Sequence, residues 1–159
     1  MNERIRIAID HMRTHAVLPL RDPVQALELP GPGRSVLVAL WSSATAPAFG
    51  VALLTPSDRQ PRGWLPVMAT VGGEKRSPGG AITVRAASFV CGQWVIAGRL
   101  IDPRAAALAI RLRDGRDMTP VVRDRGFLLL ADAFPLPIEV SVLTDDAQLI
   151  EQFRVPLRG

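Results

Sequence analysis

The spacing of hydrophobic residues changes along the chain from a helical period to a strand period. An apolar stripe at helical spacing runs through 3–16 and faces away from a polar side. Its members are Ile5, Ala8, Ile9, Met12 and Ala16. Asn2 is suited to cap this helix, and the carboxylate of Glu3 is favoured in its first turn. Residues 24–29 predict a second short helix or a turn, and the Pro-Gly-Pro-Gly sequence of 30–33 predicts a loop.

In the rest of the chain, apolar residues tend to alternate with polar ones. Ile138, Val140 and Val142, for example, are each separated by one polar residue. A period of two is typical of strands that bury one face, and abundant Pro and Gly favour short strands joined by turns. The predicted strands are 35–42, 47–55, 64–71, 81–90, 93–101, 106–113, 118–123, 126–131, 137–144 and 148–156.

One hairpin register can be predicted from its turn residues. If 114–116, of sequence Asp-Gly-Arg, form the loop, Arg113 lies opposite Asp117 and Leu112 lies opposite Met118. Each pair then matches in polarity, whereas a slip by one residue would oppose like charges. The strands on either side of this loop are therefore predicted to form one continuous hairpin.

The last part of the chain resembles a known class of β-sandwich. The similarity is carried by Gly98–Pro103, the alternating strand 107–112, Val121–Phe127 and Leu136–Val140. These segments resemble the prealbumin-like repeats found beside carboxypeptidases, and also a group of uncharacterised bacterial proteins in which a Trp-containing meander precedes such a sandwich. The resemblance implies an immunoglobulin-like sandwich with an adhesive or scaffolding role and no catalysis.

The predicted fold is therefore mostly β. An N-terminal helix and an antiparallel β-meander occupy 1–90, and an immunoglobulin-like antiparallel β-sandwich occupies 91–159. The alternative is that both parts share one core, since 159 residues also suit a single domain. The hydrophobic fraction of 48% and the charged fraction of 21% exclude an intrinsically disordered chain, because enough apolar surface is available to offset chain entropy.

The positive charge is carried almost entirely by arginine. The net charge is +4, and Lys75 is the only lysine. A candidate site for phosphate, nucleic acid or another anion is the arginine set, which comprises Arg111, Arg113, Arg116, Arg123 and Arg125. The favoured interpretation is a solvated surface, because acidic residues are interleaved with these arginines.

Two histidines and one cysteine could carry chemistry. His11 and His15 have the i, i+4 spacing at which helical imidazoles bind zinc or nickel, but the Glu of a zinc-protease motif is absent. A polar helix flank is the favoured interpretation, so we predict no metal and no other cofactor. Cys91 lies in an apolar run and is expected to be a small, inert core residue. With a single cysteine, the chain can form no internal disulfide.

The familiar catalytic motifs are missing. The sequence contains neither a Gly-x-Ser-x-Gly elbow nor a phosphate-binding glycine loop. Glu151 is unusual among the acids, because it shares strand parity with apolar residues; we favour a β-bulge as the explanation. Trp41, Trp64 and Trp94 lie within apolar runs, which favours core packing over a surface that stacks sugars or bases.

Three functions remain open from the sequence. The favoured one is a non-enzymatic binding or structural module that acts on a protein partner or as a homo-oligomer. The others are an anion- or nucleic-acid-binding protein using the arginine set, and a small metal-dependent hydrolase using the histidines. We expect a soluble cytoplasmic protein, because no signal peptide or membrane span is present; a trimmed secreted domain is the alternative.

Overall fold

The architecture is known from a computed structural model that describes residues 2–15, 20, 23–42, 49–72, 75–88 and 93–156. These residues form helix α1 (Glu3–His15) and a series of strands. The strands are β1 (Val24–Pro30), β2 (Val36–Ser42), β3 (Phe49–Pro56), β4 (Trp64–Gly72), β5 (Lys75–Arg76), β6 (Ile82–Ser88), β7 (Trp94–Leu100), β8 (Ala107–Arg111), β9 (Asp117–Met118), β10 (Val121–Arg123), β11 (Gly126–Ala131), β12 (Ile138–Leu143) and β13 (Leu149–Val155). The predicted mostly β fold with one N-terminal helix is confirmed.

The chain divides into two compact units, Met1–Glu74 and Lys75–Gly159. The predicted boundary at 90/91 differs from this division. The reason is that β6 pairs antiparallel with β7 along its whole length, from Ile82 opposite Leu100 to Ser88 opposite Trp94. A boundary at 90/91 would separate two neighbouring strands of one sheet.

The first unit is a helix packed on an antiparallel meander. Strands β1, β2, β3 and β4 follow one another in both sequence and space. The apolar face of α1 packs on β2 and β3, where Ala8 and Met12 of the helix join Val38, Leu40 and Leu54 in one buried cluster. Burial of this stripe in the sheet, rather than helix propensity, holds α1 in place.

The start of α1 has the predicted cap, and the helix is also tied to the β3–β4 turn by charge. The Oδ1 atom of Asn2 accepts a hydrogen bond of 2.9 Å from the backbone N–H of Ile5. Arg62, in the turn between β3 and β4, donates to the carboxylates of Glu3 and Asp10, the latter at 2.7 Å. These ion pairs link α1 to the β3–β4 hairpin.

Residues 24–29 form a strand, so the prediction of a short helix or turn there is wrong. The segment Val24–Pro30 pairs with β2 in continuous register, with Val24 opposite Ser42 and Pro30 opposite Val36. Gln, Ala, Leu and Glu have good helix propensity, but propensity is a weak preference that pairing with a neighbouring strand overrides.

The second unit is an antiparallel β-sandwich. Within the described residues, one sheet has the order β10-β11-β7-β6-β5 and the other has the order β13-β12-β8-β9. Ile96 and Phe127 of the first sheet pack with Ile110 and Val140 of the second, and all four side chains are at most 1% exposed. Burial of the inward-facing residues of both sheets against each other is what stabilises this unit.

The predicted continuous hairpin is interrupted at its second strand. Met118 of β9 pairs with Ile110 of β8, whereas Val122 of β10 pairs with Phe127 of β11 in the other sheet. The chain changes sheets at Pro120, which has no backbone N–H to continue the ladder. The predicted strand 118–123 is therefore two short strands.

The observed register of this hairpin is two residues away from the predicted one. Arg111, rather than Arg113, lies opposite Asp117. The backbone N–H of Leu112 donates to the carbonyl of Arg116 at 2.9 Å, so the loop begins one residue earlier than predicted. A shift by two keeps polar residues opposite polar ones, and matching by polarity cannot distinguish the two registers.

Candidate functional site

Three turns of the sandwich border one groove. They are the turn 102–106 before β8, the β10–β11 turn 123–126, and the β12–β13 turn 144–148. The space that they enclose, called the turn-end groove below, has a volume of about 390 Å³. Its lining consists of Leu100, Pro103, Arg104, Ala105, Ala106, Val122, Arg125, Thr144, Asp145 and Asp146. Turns at the end of a rigid sandwich are a common place for binding residues.

The first turn is shaped by Asp102 and Pro103. Proline at the second position suits a tight turn, and the backbone N–H of Ala105 closes the turn by donating to the Asp102 carbonyl at 2.9 Å. The Asp102 carboxylate accepts from both the side chain and the backbone N–H of Arg104, the latter at 2.9 Å. These side-chain and backbone hydrogen bonds from Arg104 lower the pKa of Asp102. The Arg104 side chain stays 72% exposed at the rim.

The second turn holds two residues in the left-handed backbone region. The φ angles are 50° at Asp124 and 71° at Arg125. Two-residue hairpin turns of this kind usually use Asn-Gly, because a Cβ atom makes positive φ unfavourable by about 1 kcal/mol per residue. Aspartate tolerates this conformation, but arginine is an unusual choice.

Arg125 compensates for its backbone conformation by joining two turns. Its guanidinium donates to the carbonyl of Ala105 at 2.6 Å and to that of Asp102 at 2.5 Å. The Arg125 carbonyl accepts from the backbone N–H of Leu100 at 2.7 Å. Arg125 therefore fixes the position of the 102–106 turn and shapes the wall of the groove.

The third turn is closed by Thr144. Its backbone N–H donates to the Gln148 carbonyl at 2.9 Å, and its hydroxyl oxygen accepts from the Gln148 N–H at 3.0 Å. Ala147 in the same turn has a φ of 65°, a value that usually calls for glycine. The exposed carboxylates of Asp145 and Asp146 then lie on the rim of the groove.

The turn-end groove combines an apolar floor with a rim of both charges. Leu100 and Ala105 are buried beneath it, Arg104 and Arg125 contribute positive charge, and two aspartates contribute negative charge. A groove of this kind can hold a ligand by shape and by paired polar contacts. Within the described part of the chain, His, Cys, Asp and Glu form no group of three or more that could hold a metal ion.

The arginine set does not lie on one hairpin. Arg111, Arg113 and Arg116 belong to the β8–β9 hairpin of one sheet, whereas Arg123 and Arg125 belong to the β10–β11 hairpin of the other. These arginines were predicted to lie together because residues 118–123 were predicted to form one continuous strand. The change of sheets after β9 divides the set.

Two members of the set on the β8–β9 hairpin, Arg111 and Arg116, are paired with acids. The Arg111 guanidinium donates to both carboxylate oxygens of Asp117, at 2.8 and 3.3 Å. Arg116 bridges Asp114 at 2.7 Å and Asp132 at 2.9 Å. The hydrogen bonds from these arginines lower the pKa values of Asp117 and Asp132, so the carboxylates remain charged partners down to acidic pH. This pairing fits the favoured interpretation of a solvated surface of mixed charge.

The other two surface arginines of the set have weaker partners. The Arg113 guanidinium carbon lies 5.7 Å from the centre of the Phe134 ring, within cation–π range. Arg123 lies 3.8 Å from its neighbour Asp124, and both side chains are largely exposed. Neither residue belongs to the lining of the turn-end groove.

The two histidines form a pair on α1. The ring centres of His11 and His15 are 4.6 Å apart, with an angle of 50° between the ring planes. Partial burial, and in second place the charge of His15, lower the pKa of His11. No third metal-ligating side chain joins this pair among the described residues, and the hydrolase hypothesis stays a prediction.

The other residues that the sequence pointed to are the three tryptophans and Cys91. Trp41 is 1% exposed, and its Nε1–H donates to Gln25 at 2.6 Å, so it is a core residue as predicted. Trp64 and Trp94 are half-buried, the latter in edge-to-face contact with Phe134. Cys91 lies outside the described residues, and its predicted burial stays a prediction.

Glu151 has a carboxylate whose hydrogen-bond partners were not predicted from the sequence. Its carboxylate accepts hydrogen bonds from the hydroxyl of Ser77 at 2.8 Å, the N–H of Gly79 at 2.7 Å and the N–H of Ala81 at 3.1 Å. Burial would raise the pKa of Glu151, but these hydrogen bonds outweigh it and lower the pKa. The carboxylate joins β13 of one sheet to the β5–β6 turn of the other.

The predicted bulge is present, but it does not turn Glu151 outward. Val142 lies opposite Glu151 and Leu143 lies opposite Leu149, so Ile150 is the extra residue. The bulge leaves Leu149 59% exposed and lets Ile150 pack on the core. The Glu151 side chain points inward because Ser77, Gly79 and Ala81 supply hydrogen-bond donors there.

Comparison with known proteins found no matching family model, no similar curated protein and no similar solved structure. The resemblance to prealbumin-like sandwiches therefore stays a prediction. Among the described residues, no helix has the length and hydropathy that crossing a membrane requires.

Proposed function

We propose that this protein is a non-enzymatic binding module whose ligand occupies the turn-end groove of the sandwich. The ligand is a short segment of a partner protein. In this proposal the sandwich is an immunoglobulin-like, prealbumin-like scaffold, as the sequence resemblance implies, and the turns carry the recognition. Fold alone does not carry function, so the support has to come from the groove.

The observation that carries the proposal is the location of backbone strain. In the described part of the chain, the non-glycine residues with positive φ are Asp124, Arg125 and Ala147. All three belong to the two hairpin turns that border the groove. Strained residues persist where the surrounding structure enforces them, and they cluster at binding sites. The chain contains 13 glycines, yet residues with side chains occupy these three positive-φ positions.

The charges of the rim favour a peptide over a nucleic acid. Arg104 and Arg125 are balanced by Asp145 and Asp146, so the groove offers no excess of positive charge to a phosphate backbone. A peptide segment presents N–H donors, carbonyl acceptors and side chains of either charge. The apolar floor at Leu100 supplies a place for one apolar side chain.

A displayed library of random peptides tests the proposal for peptide ligands of any sequence. Peptides are selected on the wild-type chain, and their affinities are then measured for two variants. Ala106→Arg fills the groove from its lining, whereas Ala109→Arg places the same side chain at an exposed position of β8 outside the groove. Thermal unfolding of both variants confirms that each is folded.

We expect enriched peptides whose affinity falls at least tenfold with Ala106→Arg and changes less than twofold with Ala109→Arg. Failure to enrich any peptide, or peptides that bind the Ala106→Arg variant as well as they bind the wild type, would contradict the proposal. A concentration-dependent dimer that Ala106→Arg abolishes would identify a second copy of the chain as the occupant and would also contradict it.

A further inference from the structure

The histidine pair of α1 has the geometry of a chelate. His11 and His15 are separated by one helical turn, so their side chains project from the same side of the helix. Their ring centres are 4.6 Å apart. Within the described residues, neither imidazole has a hydrogen-bond partner, so no protein group competes for the ring nitrogens.

The number and type of the ligands favour particular metal ions. Two imidazoles one helical turn apart can occupy neighbouring positions around one ion and leave its other positions to water. Tetragonal nitrogen and oxygen sites are typical of copper(II) and nickel(II).

We propose that His11 and His15 bind one copper(II) or nickel(II) ion per chain as a bidentate chelate, with water in the remaining positions. The site lies in the first unit and is independent of the turn-end groove. The absence of a third protein ligand among the described residues makes this a binding site of moderate affinity rather than a closed structural site.

The two imidazoles are accessible to an ion in solution. His11 is half-buried on the flank of the helix. His15 is exposed and can turn toward an ion held by His11.

The test is a titration of the full chain, without a histidine tag, with copper(II) and with nickel(II). Calorimetry gives stoichiometry and affinity, and electron paramagnetic resonance of the copper form reports the nitrogen ligands. His15→Ala removes an exposed ligand with little effect on folding. The matched control is the double variant Arg13→His/His15→Arg, which keeps both the composition and the charge but places the two imidazoles at i, i+2, on different sides of the helix.

We expect one ion per wild-type chain, two nitrogen ligands in the resonance spectrum, and at least a tenfold loss of affinity in both variants. A smaller loss in either variant, no binding by the wild type, or one ion shared by two chains would overturn the proposal. Circular dichroism of each variant confirms that α1 is retained.

Discussion

The carboxylate of Glu151 occupies the space that a side chain at Gly79 would need. A Cβ atom added to Gly79 would lie 2.7 Å from Cδ of Glu151, and the Gly79 N–H donates to the same carboxylate at 2.7 Å. Glycine is required here by close approach, since its φ is not in the left-handed region. The β5–β6 turn is therefore built around a carboxylate that arrives from β13 of the other sheet.

Gly79→Ala should destabilise the sandwich by expelling this carboxylate. We expect a loss of about 2 kcal/mol in the free energy of unfolding, because three hydrogen bonds to a charged group are disturbed. In a Glu151→Ala background the same substitution should have little effect, since nothing remains to be expelled. Urea unfolding of both single variants and the double variant measures a coupling that we expect to be about 1–2 kcal/mol. Additive effects would show that the contact is not a stabilising one.

Stability should fall in acid partly through Glu151. The hydrogen bonds from Gly79, Ser77 and Ala81 outweigh burial and lower its pKa in the folded state. The unfolded chain therefore takes up this proton first, so the stabilisation is complete above the ordinary pKa of glutamate, about 4.3, and is lost as pH falls through the lowered folded value. Glu151→Gln should remove part of the decline in stability that begins near this pH in urea unfolding, because unfolding then takes up about one proton fewer. Parallel pH profiles for wild type and variant would contradict this assignment.

Two substitutions at Arg125 can separate the effect of backbone strain on stability from that of the side-chain hydrogen bonds. Arg125→Ala loses the donors to Ala105 and Asp102 and keeps the positive φ, so we expect a loss of about 2 kcal/mol in stability. Arg125→Gly loses the same donors but relieves the strain, and it should be more stable than the Ala variant by about 1 kcal/mol. Denaturant unfolding compares the two variants. Equal stability would mean that residue 125 is unstrained.

The apolar stripe of α1 should be sensitive to charge. Ile9 is 7% exposed and packs in the cluster formed with the sheet, so Ile9→Asp should destabilise the first unit by about 3 kcal/mol or more through a buried, unpaired carboxylate. Arg6→Ser, at an exposed position of the same helix, serves as the control and should change stability by less than about 0.5 kcal/mol. An unchanged melting temperature for Ile9→Asp would show that α1 does not depend on the sheet.

The arginine set should bind polyanions weakly. Arg111 and Arg116 are paired with three aspartates, and the set is divided between two sheets, so wild-type protein should elute from heparin at low salt. The triple variant Arg111→Gln/Arg116→Gln/Arg123→Gln should elute only slightly earlier. Tight retention of the wild type with a steep salt dependence, lost in the triple variant, would establish an anion site, because several phosphate contacts release counterions together.

Strands with clear alternation were predictable from the sequence, because a half-buried strand has an apolar residue at every second position. The predicted strand 126–131 matches β11, and 137–144 encloses β12. The strand 24–30 was missed because its residues carry no alternation of polarity and favour a helix. Its structure is decided by pairing with β2, which no local pattern records.

The candidate site was predictable only in part. Arg125 was identified as a binding candidate, and a turn at 124–125 followed from the predicted strands, but the contact of its guanidinium with the 102–106 turn depends on sequence-distant backbone carbonyls. Glu151 carried a signal in its inward parity. The donors that satisfy it lie 70 or more residues away in the sequence, and only the folded sandwich brings them close.

The bulge in β13 also bears on how copies of this molecule meet. Among the described strands, β13 lies at the outer side of its sheet, where a straight apolar strand would be a template for pairing with another chain. The extra residue Ile150 breaks the regular spacing of the backbone groups, and next to it the chain turns a charge inward at Glu151. An approaching strand would meet an irregular ladder at this point and would have to cover the inward-pointing charge. The bulge and the carboxylate are thus two features that disfavour edge-to-edge pairing of copies of this molecule.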